Sequence, residues 1–369
     1  MQLSYWEIKS WFTNVDFTVI GSGIVGLSTA LHLRKLHPKS KILIIEKGIL
    51  PQGASTKNAG FACFGSLSEI IDDLKTHTEQ EVIDLVQKRW DGLQLLRKNL
   101  GDKNIDFQQL GGYEIFNTKN EFENCFEKHK TINKLIKPIF KEAVFSFTEN
   151  IFGFKNVKNN YAFNKFEGQI DTGKMMLSLL KKATDNNITI INASTVTSIN
   201  NNNADVTIEI NTDFSFRTNK VFISTNGFAK QFLNEDIKPA RAQVLITKPI
   251  KNLHIKGTFH LDKGYYYFRN IDNRILFGGG RNLDFKTEET TIFGETKTIQ
   301  NSLEKLLKTT ILPNTNFEID YSWSGIMGIG NTKKTIVKQV SNNVFCGVRL
   351  GGMGVAIGSL IGKELAALL

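Results

Sequence analysis

The stretch "DFTVIGSGIVGLSTALHLRKLHPKSKILIIEKG", Asp16 to Gly48, limits the folds open to this chain more than any other. A short apolar run, Phe17 to Ile20, meets Gly21, Gly23 and Gly26, and the helical pattern Ile24, Val25, Leu27, Ala30, Leu31, Leu33 follows. A second apolar run ends at Glu46, twenty positions beyond the last glycine. A strand, a glycine turn and a helix start make an anion site, because free backbone N–H groups and the helix dipole face one point. Gly21 allows the turn, Gly23 lets the backbone approach a pyrophosphate, and Gly26 lets the helix pack against the strand. Ile24 and Val25 open the helix that faces the phosphates. Glu46, with Lys47 beside it, stands at the distance from which an acid accepts hydrogen bonds from ribose hydroxyls. Together these features point to a dinucleotide rather than to a glycine-rich turn in an ordinary βαβ unit.

Helical periodicity continues around Ile70 to Leu100, in Thr172 to Ala183, in Thr298 to Leu307 and at the C-terminal end. Strand-like runs occur at Lys41 to Ile45, Tyr113 to Phe116, Ile188 to Ile191, Val206 to Ile210, Lys220 to Ser224, Gln243 to Thr247, Gly264 to Arg269 and Arg274 to Phe277. Strands alternate with helices at both ends of the chain, while the middle runs strand after strand. The expected fold class is α/β, a Rossmann-like nucleotide domain with an inserted α+β domain. The expected boundaries put 1–84, 156–237 and 319–369 in the nucleotide domain, and 85–155 and 238–318 in the inserted one.

Composition narrows the partners. Hydrophobic residues make up 41% of the 369 and charged residues 22%, ordinary for a soluble globular protein. No apolar run is long enough to span a bilayer. The N-terminus has aromatics but neither a basic start, a long apolar stretch nor a small-residue cleavage site, so it does not read as a signal peptide. Cys63, Cys125 and Cys346 are widely spaced without a CxxC pair, which argues against a disulfide framework or a thiolate metal site and for a reducing cytoplasm. The net charge of +10 comes from scattered lysines, with no run of five or six. That pattern fits a solvated basic surface, with loose association with a membrane surface or an RNA substrate as the alternatives, and the scatter of the lysines counts against nucleic acid.

Two further segments favour FAD over NAD. The loop "GASTKNAGFACFG", Gly53 to Gly65, follows the Glu46 strand directly and is suited to lie along an isoalloxazine edge. Near the far end, "FCGVRLGGMGVAIGSLIGKELAALL" places Gly351, Gly352 and Gly354 at a second helix start. A positive helix end there faces the pyrimidine ring of a flavin, where negative charge develops on reduction.

These residues resemble the FAD-dependent oxidoreductases of the D-amino-acid-oxidase and glycine-oxidase superfamily, and among them the γ-glutamylputrescine oxidoreductases. The resemblance is carried by "LSYWEIKSWFTNVDFTVIGSGIVGLSTALHL", "GASTKNAGF", "RAQVLIT", "YYYFRNIDNRILFGGG" and "GMGVAIGSLIGKELAAL", and so spans most of the chain. It implies an FAD-binding domain of the glutathione-reductase type with an inserted α+β substrate domain. It implies FAD contacts from Ala54, Ser55, Asn58 and Ala59, from Val196 at the adenine, from the turn Thr225, Asn226, Gly227, and from Met353 with its flanking glycines. No cysteine lies near Gly325 to Gly330, where sarcosine oxidases attach flavin covalently, so the FAD is expected to be non-covalent. Met353 stands where the subgroup has His, and Met327 where glycine oxidases carry a carboxylate-binding Arg.

The implied reaction is hydride transfer from a C–H beside an amine nitrogen to flavin N5, giving an imine that hydrolyses. Such chemistry needs orientation and a dry pocket more than strong acids or bases. The substrate is then a small amine or amino acid, and oxygen or a quinone reoxidises the flavin. Tyr265, Tyr267 and Arg269 alternate and share one strand face; by resemblance Tyr265 aligns with a substrate-carboxylate Tyr. Arg349 precedes the C-terminal glycine turn and is a candidate to replace the absent Arg at Met327. Lys57 lies in the flavin-lining loop, where a cation stabilises negative charge. Two other readings share the fold: a flavin-dependent oxidase of a carboxymethylaminomethyl base in tRNA, and a non-catalytic flavoprotein subunit.

Overall fold

A computed structural model describes residues 2–369. Ile42–Ile45 is buried at every position, as a strand covered on both faces must be. It lies in parallel between Val15–Ile20 and Thr189–Ile191. Val15–Ile20 pairs in parallel with Phe214–Ile223, which pairs in parallel with Val344–Val348. Ile336–Ser341 closes one edge antiparallel, and Val196–Asn201 with Val206–Ile210 forms a meander against Phe214–Ile223, completing an eight-stranded sheet. Apolar side chains of Ile24–Leu36, Glu79–Leu100, Thr172–Asp185 and Gly354–Ala366 share one core with this sheet.

A second eight-stranded sheet runs in the order Ile319–Ile329, Lys238–Thr247, Arg274–Gly279, Tyr266–Ile271, Thr258–Leu261, Gly112–Ile115, Asn160–Asn164, Phe145–Glu149. All its pairs are antiparallel except Thr258–Leu261 with Gly112–Ile115. One face packs on Lys297–Leu306 through Phe259, Phe268, Phe277, Ile299 and Leu303. Phe259 and Phe268 stack at 4.5 Å between ring centroids. The other face is turned to the cavity described below.

The expected α/β class with an inserted α+β region is what the structure shows, with differences in detail. Asn160–Asn164 and Ile319–Ile329 belong to the second sheet, although the expected boundaries placed both with the first. Each is antiparallel to a strand of the middle region, and that pairing outweighs its position along the chain. The Ile70 to Leu100 periodicity divides into Leu67–Asp73 and Glu79–Leu100, because Thr78 and Glu81 form a capping box that starts a new helix. Lys119–Phe140 is a 22-residue helix that the expected elements lack; it buries Cys125, Ile132, Ile136 and Phe140. The tyrosine strand begins at Tyr266, one turn after Gly264.

Glycine sets how closely the helices approach. A Cβ on Gly92 would lie 2.3 Å from the Ala356 carbonyl oxygen, and one on Gly362 would lie 2.5 Å from Ser28 Cβ. Gly→Ala inside a helix normally stabilises by about 0.5–1 kcal/mol. At Gly92 the added methyl meets backbone, so Gly92→Ala is expected to destabilise instead, by about 1–3 kcal/mol. Urea denaturation reads the sign: a higher midpoint for the variant would show that helix propensity wins and the contact yields.

Candidate active site

The two sheets enclose a cavity of about 1070 Å³, at the upper limit of the roughly 300–1,000 Å³ usual for small-molecule sites. At one end it is lined by Gly21, Gly23, Ile24, Val25, Glu46 and Lys47. Gly21 has φ +99°, and a Cβ on Gly23 would lie 2.8 Å from Ser55 Oγ. Gly26 does not line the cavity. A Cβ there would lie 1.9 Å from the Gly21 oxygen, so this glycine serves the contact between helix and strand. The Ile24 amide donates to Ser55 Oγ at 3.0 Å. The Glu46 carboxylate accepts from Ser22 N at 2.9 Å and Ser22 Oγ at 2.7 Å, and from Gly48 N at 3.0 Å and Gln52 N at 3.3 Å. These bonds tie the acid to the glycine turn, so a ribose would share oxygens that the chain already uses. Val196 lines the cavity beyond Glu46.

The loop residues Ala54, Ser55, Lys57, Asn58 and Ala59 form the floor. Asn58 Nδ2 donates to the Ser55 carbonyl at 2.8 Å, and Asn58 Oδ1 accepts from Gly60 N at 2.9 Å, which folds the loop on itself. Thr225, Asn226 and Gly227 line a side wall, with Gly351, Gly352, Met353 and Gly354 next to them. Asn226 has φ +46°, and its Oδ1 accepts from Leu350 N at 3.2 Å, so its side chain anchors the second glycine turn. The hydroxyl oxygens of Ser224 and Thr225 are buried at the cavity wall without a hydrogen-bond partner. Buried polar groups demand partners. Orphaned hydroxyls, glycines that a side chain would block and two helix starts are what an extended dinucleotide needs. The residues present therefore fit FAD.

The second sheet roofs the rest of the cavity. Ala242 faces Gly325 across one strand pair, and Val244, Gly278, Tyr267 and His260 form a row across four strands. Small residues keep this roof open, and Tyr267 supplies an aromatic wall. Burial pushes the Tyr267 phenol up to about 12, so it stays neutral. Tyr265 stands at the rim, 39% exposed. A Cβ on Gly325 would touch Lys57 Cβ at 2.8 Å, which places the lysine directly under this roof.

Two expected site residues lie elsewhere. Arg349 has φ +61°, and its guanidinium donates to the Lys334 carbonyl at 2.9 Å, to Asp236 Oδ2 at 3.0 Å and to Thr332 Oγ1 at 3.2 Å. The left-handed turn and Asp236 spend its donors away from the cavity, which Arg349 does not line, so it is not placed to grip a ligand there. Arg269 is 2% exposed. It shares the strand face with Tyr267, but the Gly60 backbone lies over it: a Cβ there would sit 3.3 Å from its Cζ. Burial lowers Arg269 to about 10 despite nearby Asp171 and Asp106.

Sequence reasoning missed several lining groups: Glu69, Asp72, His260, Lys263, Arg281 and Lys333. His260 Nε2 donates to Glu167 Oε1 at 2.5 Å, and Thr258 Oγ1 donates to the same oxygen at 2.8 Å. Cys63 completes a trio whose donor atoms lie within 4.8 Å of one another. The imidazole nitrogen that would ligate a metal is held as a donor to Glu167, and a charged ring repels a cation. Burial disfavours the charged His260, but Glu167, Glu69 and Glu114 outweigh it and raise the ring to about 9. Burial also opposes ionisation of Glu69, but Arg89, Lys333 and the Ser66 amide hold it below the usual range. A buried pair in otherwise unrelated segments leaves no motif, and without a partner at any telling spacing His260 reads from sequence as structural.

The sign of the resulting pH dependence follows from the raised value. A histidine held above its ordinary 6.5 contributes fully below that pH, and the contribution fades as pH climbs through about 9. The melting temperature is expected to fall across this window, by up to the equivalent of about 3 kcal/mol. His260→Gln should melt lower at pH 6 and show a flatter profile. An equally steep fall in the variant would assign the pH dependence to other groups.

Residues 16–368 match the family described as DAO, FAD dependent oxidoreductase. The chain is 23% identical over 388 aligned positions to the probable oxidoreductase OrdL of Haemophilus influenzae, covering 96% of this chain and 82% of that protein. Among solved structures, glycine oxidase from Geobacillus kaustophilus superposes with a TM-score of 0.76 at 16% identity, covering 96% of this chain and 94% of that one. L-proline dehydrogenase from P. horikoshii gives 0.75 at 18% identity, covering 96% and 93%. These structural likenesses establish the fold, and no helix among the described residues is long and apolar enough to cross a membrane. The family match runs through both sheets and both glycine turns, and the chain belongs to the DAO family of FAD-dependent oxidoreductases.

Proposed function

We propose that this enzyme oxidises the C–N bond of a small amine or amino acid. The observation that carries the reading is the roof, in which Ala242, Val244, Gly279, Gly325 and Tyr267 leave an apolar, partly enclosed space against the floor at Ala54 to Asn58. When bound, FAD supplies the two-electron acceptor for a hydride from the carbon beside the nitrogen, and water hydrolyses the imine that results. Substrate must therefore reach this space as the neutral amine. An apolar roof favours that form, because desolvation lowers the pKa of an ammonium. Tyr267 and Val244 orient the carbon by packing, and the sheet above them keeps bulk water out. No strong base need touch the substrate, which suits a roof without a carboxylate. Glycine oxidase and L-proline dehydrogenase, which share the fold, are named for amino-acid substrates.

Among the alternatives, a non-catalytic subunit is disfavoured by membership in a family of oxidoreductases. The electron acceptor, oxygen or a quinone, is part of the same proposal, with Lys57 as a cation in the floor under the roof. Purified protein is expected to hold FAD through gel filtration. Under anaerobic conditions its absorbance near 450 nm, the usual flavin band, should bleach with at least one member of a panel of amino acids, N-alkyl amino acids and polyamines. Protein that retains flavin but stays yellow with the whole panel would sink the reading.

A further inference from the structure

Resting on that reading, we infer that Arg281 anchors the carboxylate of the substrate, from the end of strand Arg274–Gly279 rather than from the position at Met327. Arg281 is the one arginine lining the cavity among the described residues. Gly280, with φ +77°, turns the chain so that Arg281 leaves the strand beside Tyr265. Its guanidinium rests on the Phe285 ring, 4.6 Å from the centroid, and makes no hydrogen bond or ion pair to protein among the described residues. Burial lowers its pKa, with Tyr265, Glu288 and Glu289 acting against that.

A half-buried arginine whose donors no protein group takes stands ready for an acceptor that enters the cavity. The acids nearest to it are committed to other cations. Glu288 holds Arg241 through two bonds, Nε to Oε2 at 2.8 Å and Nη2 to Oε1 at 3.0 Å, both buried. Glu289 lies 3.9 Å from Lys238. No acid among the described residues forms an ion pair with Arg281, and a planar fork of donors suits a carboxylate. The Phe285 ring lies against the guanidinium, and no protein acceptor among the described residues takes its donors. The segment that carries it is also held. Gln243 Oε1 accepts from Thr296 N at 2.9 Å, and Ser324 Oγ accepts from Gly294 N at 2.8 Å, so the loop between Arg281 and Lys297 is tied to the two neighbouring strands. Arg349, the arginine expected from sequence to do this, has none of these features, since its donors are spent on Asp236 and its neighbours.

A carboxylate held at Arg281, beside Tyr265, leaves the amine-bearing carbon directed inward under Tyr267 and Gly279. The substrate class is then an amino acid or N-substituted amino acid rather than a simple amine.

The test uses the FAD-bound protein and two probes. Acetate and benzoate, as carboxylates without an oxidisable amine, are titrated while the flavin absorption spectrum is recorded. Wild type is expected to show saturable perturbation. Arg281→Gln should weaken it about 10- to 100-fold with flavin content unchanged, Arg281→Lys should recover part of the loss, and Arg349→Gln should leave the affinity intact. For whichever amino acid bleaches the flavin, KM should rise in Arg281→Gln while the carboxamide analogue is unaffected. Equal carboxylate affinity in wild type and Arg281→Gln, or no perturbation of wild type at any concentration, would overturn the assignment. Carboxylate binding that depends on Arg281 in a protein that no amine or amino acid reduces would instead preserve the anchor and overturn the proposed reaction.

Discussion

Two helix starts, one after Gly23 and one after Met353, must open onto the same space, and the rest of the structure serves that requirement. Their strands, Val15–Ile20 and Val344–Val348, flank Phe214–Ile223 in parallel, so both helices leave the same end of the sheet. The helices then run side by side in direct contact. A Cβ on Gly358 would lie 2.7 Å from Ile24 Cγ2, and one on Gly362 would lie 2.8 Å from the Val25 oxygen. Each helix end carries roughly half a positive charge. Two of them close together, at the edge of a cavity that limits solvent, make a stronger anion site than either alone. A neutral ligand gains little there, whereas a pyrophosphate and an electron-rich ring gain at both ends.

The opposite wall follows different physics. It is a sheet, so its chemistry is set by rows of side chains across strands rather than by a terminus. One row carries Val244, Gly278, Tyr267, His260 and Glu114 in register. The row begins apolar over the cavity and ends in a buried acid, where Glu114 accepts from Ser66 Oγ at 3.0 Å and Ser68 N at 3.0 Å. His260 sits at the junction, charged because acids surround it. Polarity is thus graded across one face. The apolar end of the row lines the cavity, and the buried histidine and acid stand behind the tyrosine.

Where chemistry depends on neighbours along the chain, the sequence was legible. The glycine turn, the acid after the second strand and the C-terminal glycine turn all reach the cavity, because a strand, a turn and a helix determine one another locally. Even the separate task of Gly26 was readable from its place in the motif. Residues whose role depends on distant segments were not. Alternation put Arg269 on the correct face, yet nothing along the strand announces that the Gly60 loop covers it. Arg349 looked free because Asp236 is far away in sequence. Arg281 carries no motif, and its importance appears only when Glu288 is seen to be taken by Arg241. The helix Lys119–Phe140 is a different case. Thr118 with Glu121 forms a capping box, and Cys125, Ile132, Ile136 and Phe140 recur at helical spacing. Phenylalanine, histidine, threonine and asparagine, all middling helix formers, masked that pattern.

Met327 and Met353 line the cavity beside the second glycine turn, and their thioethers leave that wall without charge. A Cβ on Gly352 would lie 3.3 Å from Met327 Sδ, so the sulfur fills the space against that turn. An arginine at Met327 would bring a full charge close to a helix start that is already positive, at a cost that a dry site magnifies. The same charge at Arg281 lies two strands away in the same sheet, past the end of Arg274–Gly279, at the rim and against an aromatic ring. A carboxylate needs a cation within reach of the oxidised carbon, but it does not require that cation on one particular strand. Moving it from the inner wall to the rim separates the charge that holds the substrate from the dipoles that hold the cofactor. Each can then change without disturbing the other. With recognition at Arg281, the two methionines leave their wall to the cofactor and the rim to the substrate.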